Sequence, residues 1–208
     1  MHSYLTRLVV RPEVQQYFAP FYLEDRQGNL LFDYGDALEH YGFTFHRIPV
    51  SENCWLGGNP DFNLVSHVFI CSSAMEAMAF YHYKYSVYPQ ADRLLFLALG
   101  SYPNACQFRW IAENLPGKDY RLVFGNTLLD RVGELVTAAA LSRLPLNVRI
   151  SEDQVTIQFR LKEYKIAIAT FSLSAFERRS GYRFAIKTER PKDAESYFSQ
   201  LRSAALNH

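Results

Sequence analysis

Three short polar segments stand where a parallel sheet would bind a ligand. They are Cys71–Ser72–Ser73, Gly100–Ser101–Tyr102 and Gly125–Asn126–Thr127, and each follows a predicted strand. Open parallel sheets bind ligands beyond the carboxyl ends of their strands, so these segments define the predicted site. None of the three holds a carboxylate or a histidine. Because serine, threonine and asparagine favour helix N-caps, we expect the segments to begin helices.

Glu76 and Asp130 are the acids nearest to these segments. Each falls in the first turn of a predicted helix, where a carboxylate stabilises the helix dipole by about 0.3–1 kcal/mol. This structural role is the favoured interpretation, and a shared metal ion is the alternative. A metal-dependent phosphotransferase or nuclease would add Asp119. That residue precedes its strand and is therefore expected at the opposite edge of the sheet.

Serine and cysteine offer weaker hypotheses for nucleophilic catalysis. Ser72 and Ser73 lack the glycines of a G-x-S-x-G nucleophile elbow, so an N-cap role is favoured. Cys71 ends a predicted strand without a basic partner, which favours a buried and unreactive thiol. Cys54 and Cys106 lie far from it in the chain. Three cysteines at such spacing fit neither a disulfide framework nor a zinc site.

One segment towards the C-terminus is densely basic. Six cations in it are candidates for nucleic-acid contact: Arg178, Arg179, Arg183, Lys187, Arg190 and Lys192. Phosphates could bind these cations, and bases could stack on the aromatic residues between them. Acids in the same segment dilute the charge, so an ordinary solvated face is the alternative.

The histidines and one aromatic run are interpreted as structural. The six histidines show no i, i+4 pairing of the kind that binds zinc on a helix; they are His2, His40, His46, His67, His82 and His208. The run Phe80–Tyr88 is typical of a helix that covers a sheet or a protein partner, and a ligand platform is the alternative.

Alternating strands and helices must position these residues. Between residues 65 and 145 the pattern predicts, in order, Val65–Ile70, Ala74–Tyr85, Arg93–Leu99, Asn104–Leu115, Tyr120–Phe124 and Leu128–Leu144, beginning with a strand. The unbroken apolar run at Arg93–Leu99 is typical of a strand buried on both faces. Right-handed crossovers in this order predict a parallel sheet covered by helices.

Different patterns precede and follow this core. Before it, we predict a helix opened by Pro12 and two paired strands, Leu30–Tyr34 and Phe43–Val50. After it, we predict four antiparallel strands and a closing helix: Asn147–Ile150, Gln154–Arg160, Lys165–Phe171, Tyr182–Lys187 and Lys192–Leu206. Ser151–Asp153 is the predicted hairpin turn between the first two of these strands.

Composition and charge indicate a globular protein with an uneven charge distribution. The chain has 208 residues, of which 49% are hydrophobic, so it can bury a sizeable core. The formal net charge is +1, but residues 141–208 hold 12 basic and 7 acidic side chains. We therefore place a boundary near Pro145, and a second one before Val65, where the alternating pattern starts. They divide the chain into an N-terminal extension (1–64), an α/β core (65–145) and a C-terminal segment (146–208). No apolar run reaches the length of a membrane span, so we expect a cytoplasmic protein without membrane contact.

The order of these segments resembles the Toprim domain of primases, topoisomerases and related nucleases. The matching segments are HVFICSSAMEAMAFY (67–81), LFLALGSYPNACQFRWI (95–111) and YRLVFGNTLLDRVGELVTAAAL (120–141). GNLLFDYGDALEHYGFTFHRIP (28–49) and Lys192–Asp193 resemble flanking segments of Toprim-like proteins from bacterial plasmids and mobilisable elements, especially those of Bacteroidetes. The resemblance covers Asn29–Asn147 and Pro191–Leu201. It implies a Toprim-like, Rossmann-like α/β sheet flanked by helices, with an N-terminal extension and an antiparallel C-terminal segment.

The resemblance also implies that the metal-binding acids of the family have been replaced. The glutamate that ends the family's first strand matches Ser72, and the Asp-x-Asp pair after its third strand matches Gly125 and Thr127. The aspartate of the family's Asp-Ala pair matches Glu76. Glu76 and Asp130 are the two acids that remain near the replaced positions. Mg²⁺ prefers anionic oxygen ligands, and without a metal little activates water. We therefore expect no catalytic residue, no metal site and no cofactor.

These features together predict a catalytically inactive, primase-like Toprim protein of a mobile element that assists DNA mobilisation or replication. The function rests on resemblance alone. Its expected partner is nucleic acid or another protein, a second copy of this chain included. Two alternatives stay open: an enzyme that uses Mg²⁺ and the relocated acids, and a purely structural subunit that binds a protein partner.

Overall fold

Helices and strands alternate along most of the chain. The structure, a computed structural model, describes residues 1–42 and 44–206. Phe43, the first residue of a predicted strand, and His208 therefore lie outside the described residues. The helices are α1 (Ser3–Arg7), α2 (Pro12–Phe18), α3 (Ala74–Lys84), α4 (Ala105–Asn114), α5 (Leu128–Leu141), α6 (Leu173–Ser180) and α7 (Tyr197–Leu206). The strands are β1 (Leu23–Glu24), β2 (Leu30–Asp33), β3 (Leu38–Tyr41), β4 (His46–Arg47), β5 (Trp55–Gly58), β6 (His67–Cys71), β7 (Leu94–Ala98), β8 (Asp119–Val123), β9 (Leu146–Ile150), β10 (Gln154–Phe159), β11 (Lys162–Ala167) and β12 (Lys187–Glu189).

A five-stranded, mostly parallel sheet lies at the centre of the molecule. Its strand order is β12, β8, β6, β7, β5, and only the edge strand β5 runs antiparallel to its neighbour. Every residue of β7 is buried, as its apolar run predicts for a strand covered on both faces. The predicted mixed α/β class with a mostly parallel sheet is confirmed. Among residues 1–42 and 44–206, no helix has the length and apolar composition that crossing a membrane requires.

Side chains alternate between the two faces of this sheet and fill two apolar clusters. Phe69 and Phe96 belong to the cluster formed with α2, α3 and α7. Val68 and Leu97 belong to the opposite cluster, which α4, α5 and the β9–β11 sheet complete. Apolar residues therefore pack against both faces of the central strands, and this packing determines the position of their carboxyl ends.

A four-stranded antiparallel sheet, β1 to β4, precedes the central sheet. Pro12 begins α2 as predicted, and β2 matches the predicted strand Leu30–Tyr34. The prediction that Phe43–Val50 is its partner is wrong, because β2 pairs with β3. Among residues 44–50, only β4 forms a strand, and it pairs with β3. The chain reverses earlier, at Gly35, whose φ of 92° suits a tight turn that other residues rarely form.

The strands after Pro145 form a three-stranded antiparallel sheet in the order β11, β10, β9. The hairpin at Ser151–Asp153 is confirmed, since the Ser151 backbone N–H donates to the Gln154 carbonyl at 3.0 Å. The predicted strand Lys165–Phe171 is wrong in its bounds, because β11 ends at Ala167. β10 and β11 are joined by Arg160 and Leu161, with φ of 49° and 63°. Asn and Gly usually occupy such two-residue turns, so the residues Arg160 and Leu161 gave no sequence signal for a turn here.

The predicted antiparallel strand Tyr182–Lys187 is also wrong. The strand there is β12, which joins the central sheet parallel to β8. Helix α6 precedes it and has no counterpart among the predicted elements. Ser172 caps the start of α6 through the Ala175 N–H at 3.1 Å, and Gly181 ends it at φ 71°. These capping residues are the sequence signal that identifies this short helix.

Helix α7 begins at Tyr197, so the predicted closing helix Lys192–Leu206 is too long at its start. Tyr197 and Leu201 are buried in the cluster that contains α3. β12 and α7 thus return from the C-terminal segment to the central sheet, while the proposed boundary near Pro145 stays a prediction.

Candidate functional site

Two of the three polar segments at the carboxyl edge of the sheet begin helices as predicted, through Ser73 and Thr127, whereas the cap of α4 is Asn104, which lies beyond the segment Gly100–Ser101–Tyr102. The Ser73 hydroxyl accepts the Glu76 N–H at 3.0 Å at the start of α3. Asn104 accepts the Cys106 N–H at 2.9 Å at the start of α4. Thr127 caps α5 in the same way. These side chains satisfy helix N–H groups that would otherwise lack partners.

Glu76 lies in α3 but caps a second helix, α7. Its side chain is 3% exposed, and its two carboxylate oxygens accept the backbone N–H groups of Tyr197 at 2.6 Å and Phe198 at 3.0 Å. The residue thus lies in the first turn of α3 but holds the N-terminus of α7. Burial raises the pKa of Glu76 to about 7, and the nearby charge of Asp130 adds to this rise. The predicted interpretation as a helix-stabilising acid fits this geometry, although the helix concerned is α7.

Asp130 is likewise engaged in capping. Its Oδ2 accepts the Thr127 backbone N–H at 3.1 Å and the Thr127 hydroxyl at 2.6 Å. Next to it, Gly125 has no room for a side chain. A Cβ atom there would overlap the Glu195 carbonyl oxygen and would approach Asp130 Oδ2 to 2.5 Å. The position that matches the family's first aspartate of Asp-x-Asp is therefore filled by the chain itself.

Residues 191–195 close this edge of the sheet. The Asn126 amide donates to the Pro191 carbonyl at 2.9 Å and to the Ala194 carbonyl at 2.8 Å. The Asn126 backbone N–H donates to the Glu195 carbonyl at 2.6 Å. Asn126, in the loop after β8, is thus bonded at three points to the segment that leads into α7.

A buried ion pair fastens the same segment to α5. Arg190 makes two bonds to the fully buried Glu134 carboxylate, one of them from Nε to Oε1 at 2.8 Å and the other from Nη2 to Oε2. Burial raises the pKa of Glu134, and the Arg190 guanidinium counteracts part of that rise. Removing either partner would leave an uncompensated charge, so this pair is structural.

Asp119 lies at the opposite edge of the sheet, as predicted, because it begins β8. Its carboxylate contacts His67 at 3.0 Å and Arg121 at 2.9 Å. It cannot complete a site with Glu76 and Asp130. In the part of the chain that the structure describes, no three His, Cys, Asp or Glu side chains are placed to hold a metal ion.

Glu39 is a buried acid that the sequence did not single out. Its carboxylate accepts the backbone N–H groups of Ala74 at 2.9 Å and Met75 at 3.1 Å, and the Tyr34 hydroxyl at 2.6 Å. Burial raises its pKa to about 7. A carboxylate from the N-terminal sheet thus fills the anion site at the start of α3. No local pattern marks this role, because the partner helix begins 35 residues later in the chain.

The candidate nucleic-acid residues lie on and after α6. Arg178 and Arg179 form its last turn and are exposed. Arg178, Arg183 and Lys187 line one surface groove of about 710 Å³, together with Glu177. Glu177 accepts the Phe184 backbone N–H at 2.8 Å, so its charge is partly engaged by the protein. We call this the α6–β12 groove.

The six candidate cations differ in their availability. Within residues 1–42 and 44–206, no acid lies within salt-bridge distance of Arg178, Arg179, Arg183 or Lys192. Lys187 is exposed and contacts Asp119 only at 3.7 Å. Arg190 is occupied by Glu134, so we leave it out of the candidate surface.

Cys71, the aromatic run and His46 are packed against other residues of the protein. Cys71 is fully buried, and burial raises the pKa of its thiol far above the ordinary value. Phe80, Tyr81 and Tyr88 of the aromatic run pack into the core. His46 lies on β4 and stacks on Tyr41 at 5.5 Å between ring centroids.

Comparison with protein-family models, with curated proteins and with solved structures gives no match for this chain. The Toprim resemblance therefore stays a prediction that rests on the quoted segments and their order.

Proposed function

We propose that this chain is a nucleic-acid-binding protein without metal-dependent catalysis, built on a Toprim-like scaffold. In a mobile element it would assist DNA mobilisation or replication. The observation that carries the proposal is the α6–β12 groove. Arg178 and Arg183 line it without an acid partner among the described residues, and Lys187 extends its positive charge.

The charge of this groove suits a phosphate backbone. Arginine binds phosphate through several N–H donors, and each neutralised phosphate releases counterions. Tyr182 lies half-buried beside the groove, with the Arg160 guanidinium 4.3 Å above its ring. That ring is packed against cationic and aromatic neighbours, so we assign the binding to phosphate contact rather than to base stacking.

The carboxyl edge of the sheet supports the absence of metal chemistry. Its two residual acids, Glu76 and Asp130, are each bonded to two N–H or O–H donors of the protein. Segment 191–195 occupies the neighbouring space. An enzyme that uses relocated acids would need these carboxylates to release their donors before they could ligate Mg²⁺.

Fluorescence anisotropy with labelled single- and double-stranded DNA tests the proposal. On double-stranded DNA, three phosphate contacts predict a slope of about −2.7 for log affinity against log salt, or roughly a 40-fold loss between 50 and 200 mM salt. Arg178→Glu with Arg183→Glu should reduce the slope to about −0.9, because only Lys187 would keep its contact. Affinity should be the same with and without Mg²⁺.

A matched control is Arg109→Glu with Arg143→Glu, which makes the same charge change at exposed arginines of a different groove. This variant should keep the wild-type affinity within about twofold, since it removes no proposed contact. Equal weakening by both variants would mean that net charge alone drives binding. Binding or cleavage that needs Mg²⁺ would contradict the loss of metal chemistry. Absence of DNA binding would replace the proposal with the protein-partner alternative.

A further inference from the structure

Two of the three cysteines line one cavity. Cys54 is half-buried just before β5, and Cys106 is exposed in the first turn of α4. Both contribute to the wall of a cavity of about 260 Å³, together with Leu56 and Trp110. The sequence separation of these cysteines gave no reason to pair them. Their juxtaposition is independent of the proposed nucleic-acid function.

Hydrogen bonds set the register of the two segments that carry these thiols. The Asn104 amide donates to the Ser51 carbonyl at 2.7 Å, and the Gln107 amide donates to the Asn53 carbonyl at 2.8 Å. The later residue of α4 bonds the later residue of the loop, so the two segments run in the same direction. Gln107 is 1% exposed and also donates to Leu99, which fixes this side chain in place.

The spacing along both segments places each thiol on the side of its segment that faces the cavity. Cys106 and Trp110 are four residues apart on one face of α4, which is about 6 Å along the helix. Cys54 and Leu56 are two residues apart on one side of an extended chain, which is about 6.6 Å. All four side chains line the same cavity. Because the segments run in one direction, Cys54 and Cys106 both enter the cavity wall ahead of Leu56 and Trp110, and the two thiols face the same space.

The two thiols differ in access to solvent. Cys106 is exposed, so a small oxidant in solution reaches it directly. Cys54 is half-buried, and burial raises the pKa of its thiol to about 12. It therefore stays protonated and does not itself attack the oxidant. This asymmetry is that of an attacking thiol and a resolving thiol.

We propose that Cys54 and Cys106 are a redox pair that closes to a disulfide when the protein meets a peroxide. The Cys106 thiolate attacks one oxygen of hydrogen peroxide, the O–O bond breaks, and hydroxide leaves Cys106 as a sulfenic acid. Hydroxide takes the proton of the Cys54 thiol. The Cys54 sulfur then attacks the Cys106 sulfur, an S–S bond forms, the S–O bond breaks, and hydroxide leaves and takes up the proton that the Cys106 thiol released when it ionised. In sum, two thiols lose two electrons and two protons, and one peroxide becomes two waters.

The disulfide would join the loop before β5 to the start of α4. Both segments flank the carboxyl end of β7, so the bond would fix one side of the sheet edge. A cross-link between residues so far apart in the chain restricts the unfolded state, which predicts a higher Tm for the oxidised protein.

Mass spectrometry of the full chain after hydrogen peroxide tests the proposal. We expect a loss of about 2 Da, reversed by dithiothreitol, because closing a disulfide removes two hydrogens. Without reduction, a tryptic digest should contain residues 48–84 linked to residues 94–109. Peptide 48–84 also contains Cys71, so fragmentation must place the bond at Cys54. The oxidised chain should also show a higher Tm than the reduced chain.

Three variants make the assignment specific. Cys54→Ser and Cys106→Ser should each abolish the 2 Da loss, and Cys71→Ala should retain it. Cys106→Ser changes an exposed side chain, so it tests the pair even if a change at Cys54 disturbs folding. Oxidation of Cys106 to sulfinic acid without a bond to Cys54 would overturn the proposal. A disulfide-linked dimer through Cys106, or a bond to Cys71, would overturn it as well.

Discussion

Replacing Glu76 by glutamine tests whether this acid is a buried helix cap. Its carboxylate is buried and bonded to the first N–H groups of α7. Glutamine keeps one acceptor oxygen and the side-chain shape, but it cannot titrate and directs an NH₂ group towards one of the N–H groups. At pH 5 we expect the variant to be less stable by about 1–3 kcal/mol, the cost of one unsatisfied buried donor.

The pH dependence of the unfolding free energy distinguishes the two proteins more clearly than the stability at one pH. Burial raises the pKa of Glu76 from its ordinary value of 4.5 to about 7 in the folded protein. A raised pKa means that the folded state binds the proton more tightly than the unfolded state. The stabilising contribution is therefore complete below pH 4.5 and is lost as the pH rises through 7. A rise of the Glu76 pKa from 4.5 to about 7 corresponds to roughly 3 kcal/mol of unfolding free energy.

Urea unfolding at pH 5, 6, 7 and 8, followed by tryptophan fluorescence, measures this difference. Trp55 is 2% exposed and reports the loss of the core. The wild-type protein should lose about 3 kcal/mol more than Glu76→Gln between pH 5 and pH 8, so the two stabilities converge at high pH. Glu39 titrates in both proteins and contributes equally to both curves.

Glu195→Gln is the matched control, because Glu195 precedes the same helix but is exposed. This variant should follow the wild-type curve. Identical pH slopes for Glu76→Gln and the wild type would refute the role of Glu76 as a buried cap. An increase in wild-type stability with Mg²⁺ that Glu76→Gln abolishes would instead identify a metal ligand.

Three further predictions concern the same edge and its supports. Gly125→Asp should lower the Tm with and without Mg²⁺, because its Cβ would meet Asp130 and the neighbouring backbone; a Tm that Mg²⁺ restores would show that the metal site can be rebuilt. Arg190→Ala should lower the unfolding free energy by about 3–5 kcal/mol in urea, since it leaves Glu134 charged and buried; a loss below 1 kcal/mol would mean that water replaces the arginine. Glu39→Gln should reduce the stability lost between pH 4.5 and 7, because burial raises the pKa of Glu39 to about 7; an unchanged slope in urea unfolding at several pH values would contradict this.

The central sheet could be predicted because its signals are local. β7 is a continuous apolar run, and each helix after a central strand begins at a serine, asparagine or threonine that the sequence displays. β12 could not be predicted in the same way. Lys187–Glu189 is short and charged, and it becomes a strand only because it pairs with β8, whose residues lie more than 60 positions earlier. The bonds between Glu76 and α7 are equally non-local, so pattern alone identified the acid but not its partner.

The carboxylate at position 76 has a structural role that does not involve a metal. A buried anion needs positive charge or hydrogen-bond donors around it. The N-terminus of α7 supplies these through two N–H groups and the helix dipole. The same helix brings residues 191–195 against Asn126 and leaves no room for a side chain at Gly125. The helix at this edge and the carboxylate of Glu76 therefore depend on each other, because without the carboxylate the N-terminus of α7 would lose its partner.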